Sequence, residues 1–206
     1  MTISEAITKC KASGLRDWEL VEYALKLASS YMAYSYTNSF DRPEKAFEKG
    51  RGYCWQQAGA LNLIYKGLGI NSRLVYAAKN RFPDKEYEGV LIKSFISGHV
   101  WCRVTIDGVS KYVCPGSIHN SPGLLHFQPL TKVHKWNIAI SALSYLGSAV
   151  LNKKRYKKIM LLKRKQEARS DPAKCSCTKN KCERHGRCPE CRAYHSQKKV
   201  SPHCER

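Results

Sequence analysis

The chain has 206 residues and carries 36 Lys and Arg against 16 Asp and Glu, a formal charge of +20. This length suits one ordinary domain with something small added, and 43% hydrophobic residues can supply a core, which excludes a chain disordered throughout. The charge excludes an acidic solubilising protein and admits contact with polyanions.

Charge and cysteine are unevenly spread. Residues 1–150 have a net charge of +7, and residues 151–206 have +13. Cys10, Cys54, Cys102 and Cys114 lie in the first stretch, and the other six cysteines fall between Cys175 and Cys204. Three parts are expected: a globular domain over 1–130, an apolar then basic connector over 131–170, and a Cys/His-rich tail over 171–206. The start, Met1 to Ala6, has no basic stretch followed by an apolar one, so the expected setting is cytoplasmic, in a bacterial or phage protein. The cysteines are therefore read as thiols or metal ligands before disulfides.

In chain order, Asp17 is a plausible N-cap, and Val21, Leu25, Ala28 and Met32 recur at helical spacing. A short helical turn is expected near Pro43, and Gly50 to Tyr53 reads as a loop. A buried helix starts close to Cys54, with Ala58, Leu61, Tyr65 and Leu68 on one face, and Gly67 and Gly69 end it. Ile70 to Ala77 reads as a strand, and the polar residues 79–89 as a loop. His99 starts a second strand running to Ile106, Asp107-Gly108 is a hairpin signal, and Lys111 to Cys114 returns. Helices followed by hairpin strands predict an α+β fold.

Strand parity puts His99, Trp101 and Arg103 on one face and Val100, Cys102 and Val104 on the other. Cys102 then reads as a core thiol, and Cys10 as inert. Cys54 stands at a loop-to-helix junction, where unpaired backbone N–H groups and the helix dipole favour a thiolate. A thiolate with a histidine is what cysteine acyl transfer needs: sulfur attacks a carbonyl and imidazole moves the proton.

The run from Gly52 through Cys54 to Ala58, with Leu61 and Gly69 to Val75, resembles the cysteine half of the transglutaminase-like superfamily. His99 to Val104, the Asp107-Gly108 turn and Tyr112 to Gly116 resemble its histidine half. The resemblance covers residues 40 to 117 and implies a papain-like α+β fold with a catalytic helix packed on an antiparallel sheet. It implies Cys54 as nucleophile and His99 as general base and acid. The family's usual Asp, followed by Pro, is here Cys114 followed by Pro115. A neutral thiol orients an imidazole weakly and does not stabilise its charged form. Asp107 lies at the wrong end of the hairpin, and Asn120 is the remaining candidate for the acid's place. His119, His126 and His134 fall in irregular sequence and receive no role.

Trp136 to Leu151 is an uncharged stretch followed by Lys153 to Lys158. It is shorter than the roughly 17–25 residues a membrane span needs and contains Asn137 and Gly147, so a helix packed on the domain is expected rather than a membrane anchor. Interfacial binding to anionic lipid is the lesser reading. The basic run to Arg169 admits nucleic acid, although no nucleic-acid fold signature accompanies it.

The tail offers Cys175, Cys177, Cys182, His185, Cys188, Cys191, His195 and Cys204 as metal ligands, with His203 beside the last. Its other apolar residues are Ala173, Ala193, Tyr194 and Val200, too few for a core. Structural zinc, one or two ions, is the expected cofactor, with an iron–sulfur cluster as the alternative. Such a tail is structural or grips a protein partner.

Two functions compete, with a nucleic-acid accessory role behind them. The first is a cysteine-dependent acyltransferase, peptidase or amidase acting on a peptide or protein. The second is an inactive binding module that holds a partner through tail and connector. Cys114 in the acid's place favours the second, and Cys54 with His99 favours the first.

Overall fold

The computed structural model describes residues 1–87, 90–137, 139–140, 142–143, 152–163, 183–184, 188–198 and 200–202. Helix α1 (Ile3–Ala12) opens the chain. Its capping box was readable but not expected: the Glu5 N–H donates to Thr2 Oγ1 at 3.1 Å, and the Thr2 N–H donates to the Glu5 carboxylate at 2.8 Å. Helix α2 (Asp17–Tyr31) follows, with Asp17 at a positive φ of 48° that Asp tolerates better than most residues. Helix α3 (Pro43–Glu48) begins on its proline as expected.

Helix α4 (Cys54–Gly67) is the buried helix of the domain. Two of its glycines are points of close approach. A Cβ on Gly59 would lie 2.6 Å from Pro43 Cγ, and one on Gly67 would lie 2.3 Å from Ile7 Cδ1. Thus α3 and α1 come as close to α4 as they do because those positions lack side chains. Gly69, at φ 76°, turns the chain out of the helix.

Short strands β1 (Ala33–Tyr34) and β2 (Arg51–Gly52) pair in parallel. The main antiparallel sheet has β3 (Asn71–Phe82), β6 (Phe95–Ile106), β7 (Val109–Val113), β8 (Gln128–Pro129) and β9 (His134–Lys135). Its path runs β7-β6-β3-β8, with β9 also on β3. Strands β4 (Lys85–Tyr87) and β5 (Val90–Ile92) form a separate pair.

Several sequence expectations need correction: the N-cap of α2 is Arg16, with Asp17 the first helical residue, and residues 51–52 of the expected 50–53 loop pair as β2. Residues 79–82 belong to β3 and residues 85–87 to β4, so the expected 79–89 loop is largely strand. A register shift between Ala77 and Asn80 lets β3 continue through polar sequence, and Asn80 Nδ2 holds that irregularity by donating to Ala77 O at 2.9 Å and Ser97 O at 3.1 Å. Strand β6 begins at Phe95, so His99 is interior rather than first in its strand. The hairpin expectation held: Asp107 and Gly108 have φ 46° and 77°, the paired positive values of a type I′ turn.

Strand parity divides two cores. Val100, Cys102, Val104 and Val113 pack with Ala58, Leu61, Ile64 and Tyr65 of α4 and with residues of α1 and α2. The other face of the sheet carries Val75, Ala77 and Trp101, covered by Phe127 and partly by Leu125 and Val133. Each large apolar side chain buried here contributes about 1.5–3 kcal/mol. The first compact unit is Met1–Lys85 with Lys93–Lys153. It contains β9, and the Trp136 N–H donates to Leu74 O at 3.0 Å, so this packing runs past residue 130.

A second unit comprises Glu86–Ile92 and Lys154–Arg206. Helix α5 is described over 152–163, and α6 (Cys188–Gln197) lies in the tail. Most of the apolar stretch 136–151 and residues 164–169 of the basic run fall outside the described residues. Among the described residues no helix is long and apolar enough to cross a membrane.

Candidate active site

The first turn of α4 is anchored by a buried glutamine. The Tyr53 N–H donates to Gln56 Oε1 at 3.0 Å, and Gln56 Nε2 donates to the carbonyls of Asn38 and Asp41, each at 2.7 Å. Gln57 Nε2 donates to Met32 O at 3.1 Å. These bonds tie the helix start to the chain before it. Gly52 belongs to the same clamp, because a Cβ there would stand 2.9 Å from the Gln56 side chain. Cys54 is thereby fixed as the first residue of α4, half-buried, at the end of the helix where the backbone favours a thiolate.

His99 comes from the middle of β6 and is buried. Its ring lies edge-on to Phe127 at 4.6 Å and Phe82 at 5.1 Å, and beside Trp101 at 5.9 Å. Its Nε2 meets Cys114 Sγ at 3.2 Å. Cys114 follows β7 directly, so the hairpin brings these two residues together across β6 and β7. The Gly116 N–H donates to the same sulfur at 3.4 Å.

Both partners are held neutral. Burial pushes the Cys114 thiol up to about 12, with the charge of Cys54 adding to it. Burial holds His99 well below the usual imidazole range, and His126 and Lys85 push it further down. Cys54 and Lys85 act on Cys114 with opposite sign, the first raising its thiol and the second lowering it. Burial lowers the Lys85 ammonium, opposed by Cys54 and then Cys114. Its Nζ stands 4.2 Å from the centre of the Tyr34 ring.

Behind Cys114 lies a second polar pair. Asn120, almost fully buried, donates from Nδ2 to Cys114 O at 2.7 Å, and His126 Nδ1 lies 2.8 Å from its Nδ2 and 3.2 Å from its Oδ1. A Cβ on Gly116 would lie 3.0 Å from His126 Cε1, 3.6 Å from its Nε2 and 3.4 Å from Cys114 Sγ. The His126 ring edge and the Cys114 sulfur thus share the space beside Gly116. Burial, then the charge of Lys85, brings His126 down to about 4.

His99 meets Cys114, Cys54 acts on Cys114 electrostatically, and Asn120 reaches Cys114 through its backbone and not through the His99 ring. Cys102 is a core thiol, its Sγ 3.3 Å from Ala58 O, and Cys10 is buried in the same core. His119 and His134 do not join the cluster; His134 is on β9, against Tyr76. Sequence reading missed His126 and Lys85. His126 lies in irregular sequence, which carries no periodic signal of its approach to Cys114. Lys85 was lost with the 79–89 loop.

Of the tail ligands, Cys188, Cys191 and His195 lie within α6. Cys175, Cys177, Cys182, His185 and Cys204 lie outside the described residues. Among the described residues no three His, Cys, Asp or Glu side chains converge as a metal site.

No curated protein matches this chain in sequence. The family model of the Transglutaminase-like superfamily matches residues 2–113, more than half of the chain and the whole stretch from α1 to the end of β7. With its mixed helices and curled antiparallel sheet, the chain belongs to the transglutaminase-like superfamily.

Proposed function

We propose that the protein is a cysteine-dependent acyltransferase or amide hydrolase acting on a peptide or protein. Cys54 is the nucleophile and His99 the base. The carrying observation is the His99 Nε2 to Cys114 Sγ contact of 3.2 Å. It occupies one ring nitrogen and leaves Nδ1 for proton exchange, as a carboxylate in that place would.

In the reaction the Cys54 sulfur attacks the carbonyl carbon and forms a C–S bond. The tetrahedral intermediate collapses with cleavage of the C–N bond, and the amine leaves with a proton from the imidazole. Water or a second amine then attacks the thioester and frees the thiol. Zinc on the Cys/His-rich tail has a structural role in this reading, and the tail holds a protein partner.

The alternative, a binding module without turnover, is favoured by the neutral Cys114. Among the described residues no carboxylate acts on His99, whose Nε2 meets the Cys114 sulfur. The test is selective alkylation of Cys54 by limiting iodoacetamide at pH 6, located by mass spectrometry, with Cys54→Ala and His99→Ala alongside. An ordinary thiol of pKa about 8.5 is protonated there. Labelling at Cys54 that drops in His99→Ala supports the enzyme. An inert Cys54 in folded protein supports the binding module.

A further inference from the structure

Beside His99, strand β3 carries one residue more than β6. Ala77 pairs with His99 and Asn80 with Ser97, a step of three residues against two. The extra residue reverses the phase of β3. Regular alternation from Val75 and Ala77 would turn Lys79 and Arg81 inward and Phe82 out to solvent. Instead Ala78 and Lys79 are both exposed, Asn80 is buried, and Phe82 joins the core of Val75, Ala77 and Trp101. The Phe82 ring then stands edge-on to the His99 imidazole at 5.1 Å and lies 5.3 Å from Phe127, which is also edge-on to His99, at 4.6 Å.

Asn80 ties the two strands on the inner side of this bulge. Its Nδ2 donates to the carbonyl of Ala77, the residue opposite His99, at 2.9 Å, and to that of Ser97, two residues before His99, at 3.1 Å. Both partners are acceptors, so the amide has one orientation. Its Oδ1 is left buried with no hydrogen-bond partner among the described residues, a cost that an apolar side chain at this position would not carry. On the outer side the Lys79 N–H donates to Thr131 Oγ1 at 3.2 Å, and the Leu130 N–H to Lys79 O at 2.9 Å.

We propose that Asn80 is a positioning residue of the site: it locks the one-residue bulge that sets the Phe82 ring against the His99 imidazole, and so fixes the base. This role rests on the proposed reading of His99 as the base and adds a residue to that site. Bulges beside sites of chemistry re-aim side chains, and here the re-aimed side chain is Phe82. Without the Asn80 amide the carbonyls of Ala77 and Ser97 lose a buried donor, and the strand beyond them is no longer held in register with β6. Phe82 then leaves the imidazole, and water reaches it. The titratable groups that face His99 are Cys114 after β7, at 3.2 Å, His126, with ring centres 6.1 Å apart, and Lys85 of β4 through its charge. None of these is changed by the substitutions that follow.

The test follows the His99 ring itself, by NMR titration of the full chain. In Asn80→Ala the His99 titration is expected to rise by about one pH unit or more, towards the ordinary value of about 6.5, as water reaches the ring. Phe82→Ala should raise it similarly, and the double variant should add nothing, because both substitutions remove one contact. Asn80→Ser, which keeps one donor, should give a smaller rise, and it carries the comparison if Asn80→Ala does not fold. An unmoved His99 in folded Asn80 variants overturns the inference. Additive shifts in the double variant also overturn it, since Asn80 then does not act through Phe82. A shift shared by His134 on β9 marks general loosening and overturns it as well. Iodoacetamide labelling of Cys54 in the same samples keeps the two readings apart. An inert Cys54 in wild type overturns His99 as the base of an acyl transfer, while the titration still decides whether Asn80 positions the ring.

Discussion

Cys114 Sγ stands 3.2 Å from His99 Nε2, a buried thiol against a buried imidazole, and in the proposed function it takes the place of an orienting carboxylate. The geometry of an orienting partner is kept while its charge is lost. A thiol held neutral can fix the ring position, but it adds no field to favour the imidazolium.

Restoring that charge is the direct test. In Cys114→Asp, a carboxylate at the same contact favours protonated His99 and should raise its titration towards or above the ordinary value of about 6.5. Cys54 alkylation below pH 7 is expected to rise about tenfold or more, because the thiolate then has an imidazolium partner. Cys114→Ser keeps a neutral partner and should leave the rate within a few-fold of wild type. The rate–pH profiles of both variants check this, and an unchanged profile in Cys114→Asp would show that His99 is not coupled to the nucleophile.

Among the described residues Lys85 is a cation that interacts electrostatically with both Cys54 and Cys114. With His99 depressed by burial, Lys85 supplies positive charge that favours a Cys54 thiolate. Lys85→Met should therefore slow alkylation of Cys54 at pH 7 several-fold and move its apparent pKa upward, and Lys85→Arg should retain most of the rate. An alkylation profile identical in Lys85→Met and wild type would remove Lys85 from the site's electrostatics.

The buried histidines make a prediction about stability and pH. His99 and His126 both titrate below the ordinary imidazole value of about 6.5 when folded. Between that value and the folded pKa the unfolded chain binds protons that the folded chain does not, so stability falls as pH falls. Each histidine removes up to about 1.4 kcal/mol per pH unit in that window, and neither removes anything above pH 7. The window for His126 closes at about pH 4. Denaturant midpoints at pH 7.5, 6 and 5 should drop stepwise in wild type, with a shallower drop in His126→Gln. An equal drop in that variant would assign the acid sensitivity elsewhere.

The parts of this site that were legible share a physical cause. Cys54, the hairpin turn and the alternation of His99 with Val100 and Cys102 are set by local periodicity and turn chemistry, which a sequence displays directly. Cys114 was legible as a departure from a pattern. What sequence could not display was distance between segments without periodicity. His126 reaches Cys114 through a loop held by Asn120, and Lys85 lies beyond a strand irregularity that the Asn80 side chain helps to hold. The capping box of Thr2 and Glu5 was the exception, a local signal that was passed over.

Packing around α4 gives a test of the scaffold apart from chemistry. Gly59 faces Pro43, whose ring is rigid, and an added Cβ would stand 2.6 Å from Cγ and 2.9 Å from Cβ of that ring. Neither side yields by rotating a side chain, so α3 and α4 must separate. Overpacking of this kind costs about 1–3 kcal/mol. Gly67→Ala makes an even closer contact, 2.3 Å, but with the far end of the Ile7 side chain, which can swing away. Gly59→Ala is therefore expected to lower the denaturant midpoint more than Gly67→Ala, although its contact distance is the longer of the two. The reverse order would mean that the α1–α4 contact, not the α3–α4 contact, sets how rigidly Cys54 is held, and thermal unfolding of the two variants beside wild type decides between them.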